Sequence, residues 1–102
     1  MVYIHNNTRF EWDDDKNAAN INRHGIQFFT ATLVFDDLNR VDLYDDNHSE
    51  SEDRYKTIGM INGETIVLSV IYTQRGESIR IISARKATKT ERSLYNDYIN
   101  NL

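Results

Sequence analysis

Arg54, Lys56 and Arg80 are the side chains whose type and spacing speak most directly of chemistry. A guanidinium offers a planar fork of donors that fits phosphate and stays charged at any relevant pH, so two arginines and a lysine on one surface would make a phosphate clamp. Just upstream of Arg54 stand His48, Glu50 and Glu52. An imidazole titrates near neutrality and a carboxylate can act as a general base, so each could move a proton beside a bound phosphate. Plainer roles compete: strand arginines lying over exposed sheet and pairing with acids, a loop histidine, solvated loop acids or a helix cap. Lys16 falls in what reads as the first turn of a helix, where a cation gains nothing from the helix dipole, which hints at another use. His24 reads as the end of that helix, as a dipole cap or a catalytic group, and His5 as an inert residue of a frayed terminus.

Other chemistries are not expected. The chain has no cysteine, so it can form neither a disulfide nor a thiolate zinc site. None of its three histidines has a histidine partner at i+3 or i+4. No metal and no cofactor are therefore expected, and glycine-rich phosphate loops, nucleophile elbows and paired-carboxylate motifs are also missing from the sequence. No apolar run approaches the ~20 residues of a membrane helix, and the first ten residues do not read as a signal peptide. A soluble, cytoplasmic protein with no membrane partner is expected.

Net charge is −4 over 102 residues, unevenly spread. Residues 1–53 carry four Lys/Arg against twelve Asp/Glu; residues 54–102 carry eight against four. Such a dipolar chain can offer a basic face to a polyanion and an acidic face to a basic partner; the plainer reading is that the acids populate solvated loops. Asp13 to Asp15 and Asp36 with Asp37 are the acids expected to meet such a partner.

The length and the 39% apolar content suit one domain over residues 1–102. Alternation over residues 9–12 predicts a strand; Asp13 then caps a helix over 14–24 that ends at Gly25. A second helix over 28–35 puts Phe28, Ala31, Thr32 and Phe35 on one stripe, completing a helical hairpin. Residues 40–44 alternate again. After a polar loop over 45–53, where Ser49 and Glu52 have capping-box spacing, come three strands over 54–61, 64–73 and 78–86. Asn62-Gly63 is a strong two-residue hairpin signal, and Arg75-Gly76 centres the next turn. Thr88-x-x-Glu91 is a capping box that opens a C-terminal helix with Leu94, Tyr95, Tyr98, Ile99 and Leu102 along one side. The fold class is α+β: an antiparallel meander sheet with an N-terminal helical hairpin and a C-terminal helix.

Two-residue pairing across Asn62-Gly63 places Tyr55, Thr57 and Gly59 with Leu68, Val70 and Tyr72 on the face expected to seat the helices. The opposite face carries Arg54, Lys56, Val67, Ser69, Ile71 and Arg80. In this register Arg54 and Arg80 both flank Ile71, about 10 Å apart across two strand spacings. Arg85 falls on the helix face unless a bulge near Ser83 reverses the parity.

Four stretches carry a family resemblance. They are Phe10-Glu11-Trp12-Asp13 with Lys16 and Asn20-x-x-x-His24-Gly25-Ile26; Asp46-x-His48-Ser49-x-x-Glu52-x-Arg54-Tyr55-x-x-Ile58-Gly59; Val70-x-Tyr72-Thr73-x-Arg75; and Arg80-Ile81-Ile82-Ser83-Ala84-Arg85-x-Ala87-Thr88-x-x-Glu91-Arg92. In this order and spacing the chain resembles the BrnT family of bacterial toxins. Asp14 departs from it, standing where the family often has proline. The resemblance implies a RelE/ParE-like ribonuclease of a type II toxin–antitoxin system that stops translation by cutting RNA. It further implies a BrnA-type ribbon-helix-helix antitoxin, bound as a dimer of heterodimers that meets operator DNA only through the antitoxin. On the residues, the expected catalytic set is Arg54, Arg80, His48, Glu52 and Glu50, with Lys56, Arg85 and Lys16 binding substrate and no metal. A non-enzymatic ParE-like toxin and a small protein-binding scaffold are the alternatives.

Overall fold

A computed structural model describes residues 1–61, 63 and 65–102; the side chain of His48 also lies outside the description. Helix α1 occupies Asp14–His24 as expected, because both ends are chemically marked. Asp13 Oδ1 accepts from the amides of Asp15 and Lys16 at 2.9 and 3.0 Å, which holds its carboxyl below the usual range. Gly25 stops the helix at φ +72°. Only one short α-helical turn, α2 (Phe28–Ala31), follows before the chain tightens into a 3₁₀ helix over Thr32–Asp36. Thr30, Thr32 and Val34 are weak helix formers there, and the Thr32 hydroxyl donates back to the Phe29 carbonyl at 2.7 Å. The expected second helix is thus a hybrid, and its stripe still buries Phe28, Ala31 and Thr32.

Six strands form one mixed sheet in the order β1-β2-β6-β5-β4-β3: β1 (Val2–His5), β2 (Thr8–Glu11), β3 (Val41–Tyr44), β4 (Arg54–Met60), β5 (Val67–Arg75) and β6 (Ser78–Lys86). Strands β3 to β6 are the expected antiparallel meander. Strand β2 adds to it in parallel with β6, so the sheet as a whole is not purely antiparallel. The terminus read as frayed is strand β1, turned onto β2 through Asn6 and Asn7 at φ 48° and 64°. His5 is correspondingly engaged, 2.7 Å from Asp36 Oδ2.

Pairing across β4 and β5 joins Arg54 to Thr73 and Met60 to Val67, two residues away from the expected register. The connection runs from Ile61 to Ile66, whose backbone pairs at 3.2 Å, rather than closing in two residues; the expected type I′ turn falls on Asn62, outside the described residues. A shift of two preserves parity, so the faces stand as expected. Beyond Tyr72, however, a bulge on β6 reverses the parity: Tyr72 pairs with Ile81 but Ile71 with Ser83 and Ser69 with Arg85. Arg85 therefore joins the face of Lys56 and Ser69.

One face packs Phe10, Leu68, Val70, Ile81 and Ala84 against Phe28, Ala31 and Val34. Gly59 is required there, since a Cβ would stand 2.8 Å from Val34 Cγ1. Helix α3 (Lys89–Asn100), with the expected capping box at Thr88 and Glu91, does not join that face. It crosses to the other side, where Tyr95 is buried with Ile58 and Val67, and Val41, Met60 and Ile99 close the edges. Leu94, Tyr98 and Leu102 remain exposed, so the buried stripe of α3 is narrower than the apolar pattern suggests. This α+β arrangement is consistent with a RelE/ParE-like architecture, with α3 covering only one end of the second face.

Candidate functional site

The open end of the α3 face carries the cations, anchored in two groups. Nearest the β5–β6 turn, Arg54 and Arg80 flank Thr73 in place of Ile71, because both hairpins are shifted by two: Arg75 pairs with Ser78, so the second turn is centred on Gly76-Glu77 and not on Arg75-Gly76. The Thr73 hydroxyl donates to the Asp53 carbonyl at 2.6 Å and so fastens the loop that enters β4. Ser49 closes the same loop, accepting from Arg54 N at 2.9 Å and donating to the Asp45 carbonyl at 2.6 Å. In place of the capping-box turn expected at Ser49 and Glu52, a 3₁₀ turn spans Asp46–His48. Loop closure brings Glu52 to 3.8 Å from Arg54 and 3.4 Å from Arg75. On the other flank, β2 delivers Glu11 beside Arg80 at 3.2 Å. Arg54 Nε is buried with no hydrogen-bond partner among the described residues, a donor with unused capacity.

The second group is built on Glu91, which is only 9% exposed. Its carboxylate takes both Arg85 terminal nitrogens, at 2.7 and 3.0 Å, and Lys56 Nζ at 3.0 Å. The Ser69 hydroxyl at 3.3 Å and the Thr88 amide at 2.9 Å complete the shell. Against the cost of burial, these donors, led by Arg85, pull the carboxyl down to about 2. A carboxylate so saturated cannot serve as a base near neutrality. It fixes the directions of Lys56 and Arg85 and ties them to the first turn of α3.

Arg54, Arg80 and Glu52 thus lie together, with Lys56 and Arg85 on the same face. Glu50 is exposed and makes no contact among the described residues, and the side chain of His48 lies outside the description. Lys16 is on α1, away from the Arg54–Thr73–Arg80 row, and shares a groove with Arg85. Two residues were missed by reasoning on clamp chemistry alone. Glu91 shows itself in the sequence as a helix cap and Glu11 as a member of the Phe10-Glu11-Trp12-Asp13 stretch, but nothing local ties Glu11 to Arg80, because their pairing depends on a long-range parallel strand contact. Asp36 and Asp37 are not a free acidic turn: Asp36 holds His5 and Asn6, while Asp37 accepts from Met60 N at 2.8 Å and Tyr95 Oη at 2.5 Å. Among the described residues no three His, Cys, Asp or Glu converge as metal ligands, and no helix is long and apolar enough to cross a membrane.

The family model for the ribonuclease toxin BrnT of type II toxin–antitoxin systems matches residues 12–91. The chain belongs to the BrnT toxin family. The match runs from Trp12 to Glu91, and so takes in both arginines of the Thr73 row and the carboxylate that anchors Lys56 and Arg85. No curated protein matches the chain. As a toxin of a type II system, a BrnT protein has an antitoxin as its partner.

Proposed function

We propose that this BrnT protein is a metal-independent endoribonuclease, and that the Arg54–Thr73–Arg80 row is where RNA is cut. The observation that carries the reading is the row itself: two guanidiniums on one open sheet face, flanking a single residue, with a carboxylate 3.8 Å from one of them. The 2′-hydroxyl next to the scissile phosphate attacks phosphorus. Its proton passes to Glu52, with His48 and Glu50 the other candidate bases in the loop. The bond to the 5′-oxygen breaks, that oxygen leaves taking a proton from water, and a 2′,3′-cyclic phosphate remains. Arg54 and Arg80 donate to the phosphoryl oxygens as charge grows on them, which is where preorganised donors contribute most. Lys56 and Arg85, aimed by Glu91, hold the strand beyond the reacting bond. No step in this scheme uses a metal.

A BrnA-type ribbon-helix-helix antitoxin, in a dimer of heterodimers, neutralises the toxin in the cytoplasm. Asp15 is exposed to a basic partner, as is Asp14, whose carboxylate also lies 3.5 Å from the terminal amine of Met1. Purified protein incubated with RNA in excess EDTA should generate fragments ending in cyclic phosphate. Activity lost in EDTA and restored by one added metal would overturn the mechanism, and intact RNA under all conditions would favour a toxin that binds a protein target instead.

A further inference from the structure

Besides the two cation groups of the α3 face, positive charge gathers beside helix α1. Helix α1 lies along β6 beyond the point where β2 stops pairing with it. There the Asn20 side chain stands in for a strand, donating to the Ala84 carbonyl at 2.8 Å and accepting from the Ala84 amide at 3.1 Å. Between helix and strand is a groove of about 530 Å³, whose wall includes Lys16, Arg23, His24, Ser83 and Arg85. No Asp or Glu lines it, in a chain with sixteen acids and a net charge of −4. Among the described residues Lys16 and Arg23 form no ion pair within 4 Å, and the carboxylate that acts on Lys16 through space is Asp13, which does not line the groove. The bulge that reverses β6 also makes Arg85 common to this groove and to the Glu91 cluster, so the two basic regions meet at one side chain.

We infer that the groove is a second phosphate subsite, which takes a backbone phosphate of the RNA a few nucleotides from the bond that is cut. The inference rests on the nuclease reading for the identity of the polyanion. Arg80 and Arg85 lie opposite Thr73 and Ser69, four residues apart on β5, because the bulge takes up one residue of β6; at the usual rise that is about 13 Å, so a single-stranded backbone lying along β6 reaches both. Lys16 and Arg23 sit at i and i+7 of α1 and meet such a strand from the same side. Backbone phosphates are read by charge, so the subsite contributes affinity and salt dependence without base preference.

The test is fluorescence anisotropy with a labelled, uncleavable 2′-O-methyl RNA 12-mer, titrated over a range of salt concentrations. The double variant Lys16→Ala with Arg23→Ala should bind about tenfold more weakly, and the slope of log affinity against log salt should fall by about 1. Lys89→Ala with Arg92→Ala, which removes the same charge from α3, should change neither. Lys16→Arg with Arg23→Lys should restore both, which separates charge from folding. Equal losses in the α1 and α3 double variants would overturn the subsite, as would wild-type binding by the α1 variant. If the wild type binds through the groove yet leaves natural RNA intact, the subsite stands and the nuclease reading falls. If it cuts RNA while the α1 variant binds normally, the reverse holds.

Discussion

The two cation groups on the α3 face are held by carboxylates of opposite character. Glu91 is almost enclosed and bonded on every side, to Arg85, Lys56, Ser69 and a helix amide. Glu11 and Glu52 are about 30% exposed and touch their arginines at 3.2 Å or more. The enclosed group resembles a core and ties three strands to a helix, whereas the open row leaves its arginines loosely satisfied. Strength of anchoring and readiness to bind an anion are thus divided between neighbouring parts of one face. If the division is right, substitutions in the row should change rate with little change in stability, and substitutions at Glu91 should change stability first.

The largest expected effect is on rate. Arg80→Ala should reduce RNA cleavage by about 10²–10³, the typical result of removing one charged donor to a transition state, and Arg54→Ala should do the same. Stability should fall by no more than about 1 kcal/mol, since the ion pairs lost are partly exposed. Single-turnover cleavage and urea denaturation of the same preparations measure both. Full activity in Arg80→Ala would remove the row as the site; a large loss of stability would erase the contrast with Glu91.

Glu91→Gln comes next. Glutamine can still accept from the Thr88 amide, but it leaves Arg85 and Lys56 side by side with no counter-charge, at a cost of about 2–3 kcal/mol. Its pH signature has a definite sign. The carboxyl is held at about 2 in the fold against 4.5 ordinarily, so its stabilisation is complete above pH 4.5 and disappears as pH falls through 2. At most that amounts to roughly 3 kcal/mol. The stability difference between wild type and Glu91→Gln should therefore shrink steadily from pH 5 to pH 2. A constant difference would mean that the loss comes from packing and not from charge.

The sharing of one face by Arg54, Lys56 and Arg80 was legible in the sequence, the carboxylates that divide them were not, and the reasons are physical. Arg54 and Arg80 flank one residue because strand parity follows from alternation, and a slip of two leaves the faces unchanged. Which residue they flank depended on both turns: the first is longer than the Asn62-Gly63 signal implies, and the second is centred one residue beyond Arg75-Gly76. Arg85 changes face because of one inserted residue at Ile81-Ile82, where two adjacent apolar side chains give no sign of a bulge. The parallel contact that brings Glu11 to Arg80 joins residues sixty-nine positions apart, with no local signature. Strand β1 was within reach, since Asn6-Asn7 is a turn of residues that tolerate positive φ. Helix α3 changed faces because Tyr95 pairs with Ile58 and Val67, which only the assembled sheet presents together.

Thr88→Ala should have the smallest effect and divides the Glu91 cluster most finely. The Thr88 hydroxyl accepts from the Glu91 amide at 3.2 Å, while the Thr88 amide donates to the Glu91 carboxylate at 2.9 Å. Alanine removes the first bond and keeps the second, so the helix loses half of its capping box while the carboxylate keeps Arg85 and Lys56. Loss of an N-cap side chain costs about 1 kcal/mol, and α3 should still dock through Tyr95. Cleavage at neutral pH should stay within about twofold of wild type, because the cations remain aimed. The acid dependence of stability should also persist, since the carboxylate retains its donors. A loss of activity as large as that of Glu91→Gln would mean that the helix end itself, and not the carboxylate, positions the cations.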